Sequence, residues 1–327
     1  MDLGRAQTAK TELRRLADAA ARAGVAKLMA GGSTAQVQSA AIALTANNNL
    51  VDGATLTIRN ADVQIGNWNG ATFTAGGSPS NAVEVTTRRD GTANGPVPLM
   101  FGQPLGPTTI AVSASSIATV FTQTSTQYVP ATSNPWLAGE SNGTHASVPD
   151  QNYPSANHWQ QYDVAPAESP VQVSITPIAG ATITVTSAAG TAAQAPNAPY
   201  VTADGGGTLY SDDAANNVSE HGIADVTMPT VALLGVFLDN NLPDNSSAPT
   251  PLDFSTQLAR DYTSLSPQLK QPFYLGNGQT SGGTQQSIRV PLGATRFFLG
   301  VMDGHEWSNN QAGYTVTINQ TYLRIAQ

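Results

Sequence analysis

The chain has no cysteine, few charged residues and few aromatic rings, and each shortage removes a class of protein. Without cysteine there is no disulfide framework, no thiolate zinc centre and no dithiol redox site. Charged residues are only 11% of the 327, so the surface must draw its solubility from Thr, Ser, Asn and Gln. Positive charge is also badly distributed, because no Lys or Arg occurs between Arg89 and Arg260. Such a stretch cannot neutralise phosphates, which excludes nucleic acid as a partner of the C-terminal two-thirds. No apolar run is long enough to span a bilayer, and no secretory signal is visible at Met1.

What remains is a polar, acidic, turn-rich composition. A net charge of −8 with 30 Gly and 21 Pro suits an all-β extracellular protein whose surface tolerates divalent cations. The length allows two domains of ordinary size. Residues 5–29 carry Ala6, Ala9, Leu13, Leu16, Ala20 and Ala23 at spacings of three and four, which predicts a helix with one apolar stripe. That stripe covers a neighbouring sheet or, alternatively, packs on the same helix of other subunits. Gly31 and Gly32 end it. Ser33 or Thr34 caps a second helix over roughly 35–45. Period-two patterning follows at Leu56–Ile58, Val63–Ile65, Val83–Thr86 and Thr109–Val120. From Thr122 to Ser169 polar residues dominate and prolines interrupt them, as in a linker, although Trp136 and Trp159 speak against complete disorder. The remainder reads as short strands, among them Val171–Ile175, Thr182–Thr186, Val231–Leu238, Arg296–Met302 and Tyr314–Ile318.

The stretch 301–310 concentrates the chemistry. An apolar run delivers Asp303 into a short loop that ends in Asn309 and Asn310, with His305 and Trp307 between them. Hard oxygens on a tight loop suit Ca²⁺, and an aromatic face beside them suits a sugar ring. The plainer reading is a turn, since Asp and Asn bond their own backbone. Asp239 to Asn241 with Asp244 and Asn245, and Asp204 with Gly205 to Gly207, Asp212 and Asp213, read as solvated turns; a second cation site is the sharper alternative at the first. The four histidines, His145, His158, His221 and His305, are too widely spaced for a zinc signature, and no nucleophile–base pair is recognisable. An enzyme is not expected.

Two resemblances add to this. Asp2–Arg5, Thr11–Leu13, Ala17–Ala21, Val85–Thr87, Pro98–Phe101 and Ile110–Ala114 resemble the Tad pilus-assembly proteins of the TadE/TadG-like kind, over about residues 1–120. In that family a single membrane-spanning helix precedes this stretch, so the resemblance implies a membrane-anchored precursor in the cell envelope. Ala189–Ala192, Ala232–Val236, the 303–310 loop and Gly313–Val316 resemble the PA-IL-like, calcium-dependent galactophilic lectins, over about residues 169–320. That likeness implies that Asp303, Asn309 and Asn310 bind calcium. It adds one backbone carbonyl from His305, Glu306 or Trp307 and another from Gln194. The loop is one residue shorter than the lectin's, and His221 is the nearest match to a further sugar contact.

The expected organisation has three parts. Residues 1–121 form an α+β module, two helices on an antiparallel sheet; residues 122–168 are a Ser/Thr/Asn/Pro-rich linker; residues 169–327 are an all-β, jelly-roll-like sandwich. The expected function is a cell-surface or pilus-associated adhesin that binds galactose-like glycans through Ca²⁺. Asp303, Asn309, Gln194, Asn310 and His305 hold the metal, and Trp307, His305, Asp303, Asn309 and His221 face the sugar. The alternative is a structural subunit of an extracellular filament or pilus that packs on other subunits and binds no sugar.

Overall fold

A computed structural model describes residues 2–44, 50–101, 106–145, 163–210, 219–304 and 306–326. The chain divides into two compact units, residues 1–121 with 323–327 and residues 122–322.

In the first unit, helices α1 (Asp2–Met29) and α2 (Thr34–Ala43) precede strands β1 (Leu50–Val51), β2 (Ala54–Thr55), β3 (Val63–Trp68), β4 (Phe73–Ala75), β5 (Ala82–Arg89), β6 (Val97–Pro98), β7 (Thr109–Ile110) and the first half of β8 (Val112–Pro130). Strong helix formers fill α1, and its buried residues Ala6, Ala9, Leu13, Ala17, Ala20, Ala21, Gly24 and Val25 keep the three-and-four spacing of one face. Gly31, at φ +73°, turns the chain out of the helix. Ser33 then starts α2 with a capping box: Gln36 N donates to Ser33 Oγ at 3.4 Å, and Ser33 N donates to Gln36 Oε1 at 2.9 Å. The sheet runs β4-β3-β5-β8, antiparallel throughout. Ala20, Ala21 and Val25 of α1 share one core with Val37 and Ala41 of α2 and with Val63, Val83, Val85 and Ala118 of the sheet. The α1 stripe is therefore used inside its own unit, which settles the two readings of it in favour of sheet cover.

Sequence and structure part at one place in this unit. Leu56 and Ile58 are buried, yet the strand lies just before them, at β2. The basic residues are also engaged: Asp62 takes 2.7 and 2.8 Å contacts from Arg59 and Arg88, and buried Arg89 donates to the carbonyls of Val51 and Gly95. Here guanidinium groups tie loops to the sheet.

The second unit takes the rest of β8, then β9 (Val171–Gln172), β10 (Thr182–Ala193), β11 (Leu209–Tyr210), β12 (Val226–Pro229), β13 (Leu233–Leu238), β14 (Leu252–Asp253), the short helix α3 (Gln257–Arg260), β15 (Ser264–Leu265), β16 (Phe273–Tyr274), β17 (Ser287–Arg289), β18 (Arg296–Val301) and β19 (Gln311–Ile325). One sheet has the order β8-β19-β10-β17-β15 and another the order β16-β13-β18-β9, with a small β11-β12-β14 sheet beside them. Residues of the two larger sheets meet in a single core, Ile183, Val185, Val316 and Ile318 from one and Leu233, Val236, Phe297 and Leu299 from the other. The result is a sandwich-like, β-rich unit. Strand β13 is buried at every position, as its unbroken apolar run requires of a central strand.

The expected linker is a correction. Residues 122–130 continue β8, with Ser125 and Val129 buried and Thr122, Thr124 and Thr126 exposed. The exposed threonines meet Thr321, Asn319 and Thr317 of β19 at 3.2, 2.7 and 2.9 Å. Ser125 Oγ lies 2.7 Å from Ser174 Oγ. Polar residues on both faces of the strand made it look like a linker. Further on, Trp136 is fully buried and its Nε1 donates to Ala224 O at 3.0 Å. Trp159 lies outside the described residues. No described helix is long and apolar enough to cross a membrane.

Candidate functional site

Strand β18 ends at Val301 and hands the chain to the 303–310 loop. Asp303 is buried, only 4% exposed, and its Oδ1 accepts from Gly304 N at 2.7 Å. Glu306, at φ +54°, opens a tight 3₁₀ turn over Trp307–Asn309, closed by Asn309 N donating to Glu306 O at 3.1 Å. The side-chain amide of Asn309 donates to Glu306 Oε2 at 2.9 Å, and that of Asn310 donates to Ala131 O at 3.1 Å. The amide oxygens are different. Asn309 Oδ1 and Asn310 Oδ1 are both shielded from solvent, and neither has a hydrogen-bond partner among the described residues. A buried acceptor left unpaired costs about 1–3 kcal/mol, so two adjacent ones are an unusual arrangement for a plain turn. Amide and carboxylate oxygens such as these are ligand types that calcium takes.

Gln194 stands at the same end. Ala193 of β10 pairs with Gln311 of β19, so Gln194 and Asn310 are the next residues of those two chains. The side-chain oxygen of Gln194 accepts from Thr230 Oγ1 at 2.8 Å, which leaves its backbone carbonyl as the group the lectin resemblance concerns. His305 lies outside the described residues.

Trp307 requires a correction. It is 2% exposed, its ring meets Trp136 edge-on at 5.6 Å, and its Nε1 donates to Val301 O at 2.7 Å. A ring held in this way is a core anchor and has no face to offer a sugar. His221 is not part of this loop's hydrogen bonding: its Nε2 is 2.9 Å from His145 O and its Nδ1 is 3.5 Å from Asp244 Oδ1.

The residue that holds the loop is one that pattern reading passed over. Asp163 is buried, only 2% exposed, accepting from Trp307 N through Oδ2 at 3.2 Å and from Ser308 N through Oδ1 at 2.9 Å. Burial pushes its carboxyl up to about 6, against the lowering effect of those two bonds, and the charges of Glu168 and Glu220 add to the rise. It lies in the Pro-interrupted stretch, 140 or more residues from the loop, so no local signal marked it.

Two other features are polar. Asp239 accepts from Asn241 N and Nδ2, both at 2.9 Å, so the Asp239–Asn241 end of that cluster is a local turn of the kind expected of it. Asp204 lines a cleft of about 280 Å³ with Tyr274, Asn277, Gln257, Arg260 and Asp261, and its Oδ1 accepts from Asn277 N at 2.9 Å.

The comparisons with known proteins agree with part of this picture. A family model described as "Putative Tad-like Flp pilus-assembly" matches residues 14–118. The matched stretch runs from within α1 to β8 and makes up most of the helix-and-sheet unit. No curated protein and no solved structure matches the chain.

Proposed function

We propose that the chain is a pilus-associated protein of the bacterial cell envelope, with a binding or scaffolding role and no catalysis. The match over residues 14–118, lying on one folded α+β unit, carries this reading. The first unit then serves contacts with other pilus components, and the second is the module displayed outside. Its two-sheet strand order is compatible with a jelly-roll-like sandwich. Sheared pili from cells expressing a tagged chain provide the test: the tag should co-sediment with them, and its absence from both pili and envelope fractions would overturn the proposal.

Within that module the 303–310 loop is read as a calcium clamp that fixes the end of the sandwich. The unpaired oxygens of Asn309 and Asn310 support it. Calorimetry on the chelator-treated protein should show saturable Ca²⁺ heat that Asp303→Ala and Asn310→Ala each abolish. No heat from the wild type ends the calcium reading.

Glycan binding is the second reading. Partly exposed Asn309 favours it, since a sugar diol would have to reach the ion from that side. Buried Trp307 and Asp303 weigh against it, so the structural role stands first. Glycan-array signals that disappear with chelator and with Asn309→Ala would reverse the order.

A further inference from the structure

Outside that loop, one group of His, Asp and Glu side chains among the described residues brings three ligand atoms within 4.8 Å of one another: Glu140, His221 and Asp244. They come from three separate stretches of the second unit, and backbone packing fixes their approach. His221 sits at φ +46° in the tight turn closed by the Glu220–Ile223 bridge. Gly222 follows at φ +69°, and a Cβ there would run into the Pro243 carbonyl oxygen, so this turn lies directly on the Pro243–Asn245 turn that carries Asp244. Lys270 Nζ holds the far side of that second turn by donating to Ser246 O at 2.7 Å and Ser247 O at 2.8 Å.

The orientation of the imidazole is the second observation. Its Nε2 is 2.9 Å from the His145 carbonyl oxygen, a group that can only accept, so Nε2 carries the hydrogen. In the neutral ring this leaves the Nδ1 lone pair facing Asp244 Oδ1 at 3.5 Å, acceptor against acceptor. A positive charge is needed between them. A ring N–H anchored on a carbonyl, with the other nitrogen aimed at carboxylates, is the usual outer support of a metal-binding histidine. Two ligands at about 2.1 Å from a tetrahedral zinc ion stand about 3.4 Å apart, close to the separation found here.

Glu140 is the third observation. Its Oε1 is shielded from solvent with no hydrogen-bond partner among the described residues. Arg296 and Lys270 make their hydrogen bonds elsewhere, Arg296 to the carbonyls of Asp239 and Asn241 and Lys270 to those of the Pro243 turn.

We propose that Glu140, His221 and Asp244 form a binding site for a zinc-class divalent ion, with His221 Nδ1 and one oxygen from each carboxylate as ligands. One imidazole and two carboxylates suit a borderline metal better than calcium, and they leave a coordination position for water. The ion cancels two negative charges and clamps three loop segments together.

The test is equilibrium dialysis of the full chain against Zn²⁺ alone, after chelator treatment, with metal measured by mass spectrometry. One ion per chain is expected at the site. His221→Asn, which keeps a residue tolerant of positive φ, should remove it, and Asp244→Asn, on an exposed side chain, should weaken it at least about 10-fold. Asn310→Ala should leave zinc binding unchanged, which separates this site from the calcium loop. Co²⁺ should give a d–d absorption band in the wild type that His221→Asn lacks. Absence of stoichiometric zinc in the wild type, or zinc retained in full by folded Asp244→Asn, would overturn the proposal.

Discussion

Asp163 is a carboxylate in an expensive place. Two backbone N–H groups favour its charge, but burial and two acidic neighbours outweigh them, so it ionises only near pH 6 in the folded chain. The unfolded chain releases that proton earlier, near 3.8. Between the two values this group binds more protons in the folded state, so its contribution to stability falls as pH rises from about 4 to about 6 and then levels off. A shift of this size corresponds to roughly 3 kcal/mol. Urea unfolding of the chelator-treated chain across that window should show the decline, and Asp163→Asn should flatten it. A wild-type profile that rises through the window would show that Asp163 is charged in the fold. At this scale the sequence was only half readable. Asp303, Asn309 and Asn310 declared themselves by adjacency. Asp163 and Glu140 did not, because chain segments far apart in sequence bring them to their partners, and Asp244 stood out only as part of the Asn-rich turn after β13. Trp307 misled because a Trp beside Asp and His looks the same in sequence whether it faces solvent or packs on Trp136.

Elements were easier to read where period and burial agree. The α1 stripe, the continuous apolar run of β13 and the alternation of β5 each announce an element with a buried face. Strand β8 beyond residue 121 was illegible for the opposite reason: Ser125 is buried and satisfied by Ser174, so its inward face is partly polar. The α1 face leads to a prediction. A Cβ at Gly24 would already lie 3.0 Å from Val83 Cγ1 and 3.6 Å from Ala41 Cβ, so helix, helix and sheet touch there without slack. Gly24→Leu should destabilise the first unit by about 1–3 kcal/mol through overpacking, despite the better helix propensity of Leu. Ala19→Leu, on the exposed side of the same helix, should change stability by less than about 0.5 kcal/mol. Equal denaturation midpoints for the two variants would show that α1 does not pack on β5 as closely as the distances say.

For the whole molecule, the decisive fact is that neither the first unit nor its core is contiguous in sequence. The chain leaves that unit in the middle of β8, builds the sandwich, and returns at Leu323. Leu323 and Ile325 pack against the α1–α2–sheet core, and Ala326 N donates to Ile117 O at 2.8 Å. The end of β19 is thus the closing piece of a unit that begins with α1. Removing residues 323–327 strips two half-buried aliphatic side chains and one strand-edge hydrogen bond. At about 1 kcal/mol for each of the three, the first unit should lose about 2–3 kcal/mol. For a unit of this size that lowers its melting temperature by roughly 10 °C. Calorimetry of the chain ending at Tyr322 should therefore show one transition displaced downward, while the transition of the sandwich keeps its position. A fragment of residues 1–121 alone should be unstable for the same reason, and supplying residues 311–327 as a peptide should raise its melting temperature. If the truncated chain melts like the full one, the last strand is an ornament on the first unit and the two units are independent in sequence after all.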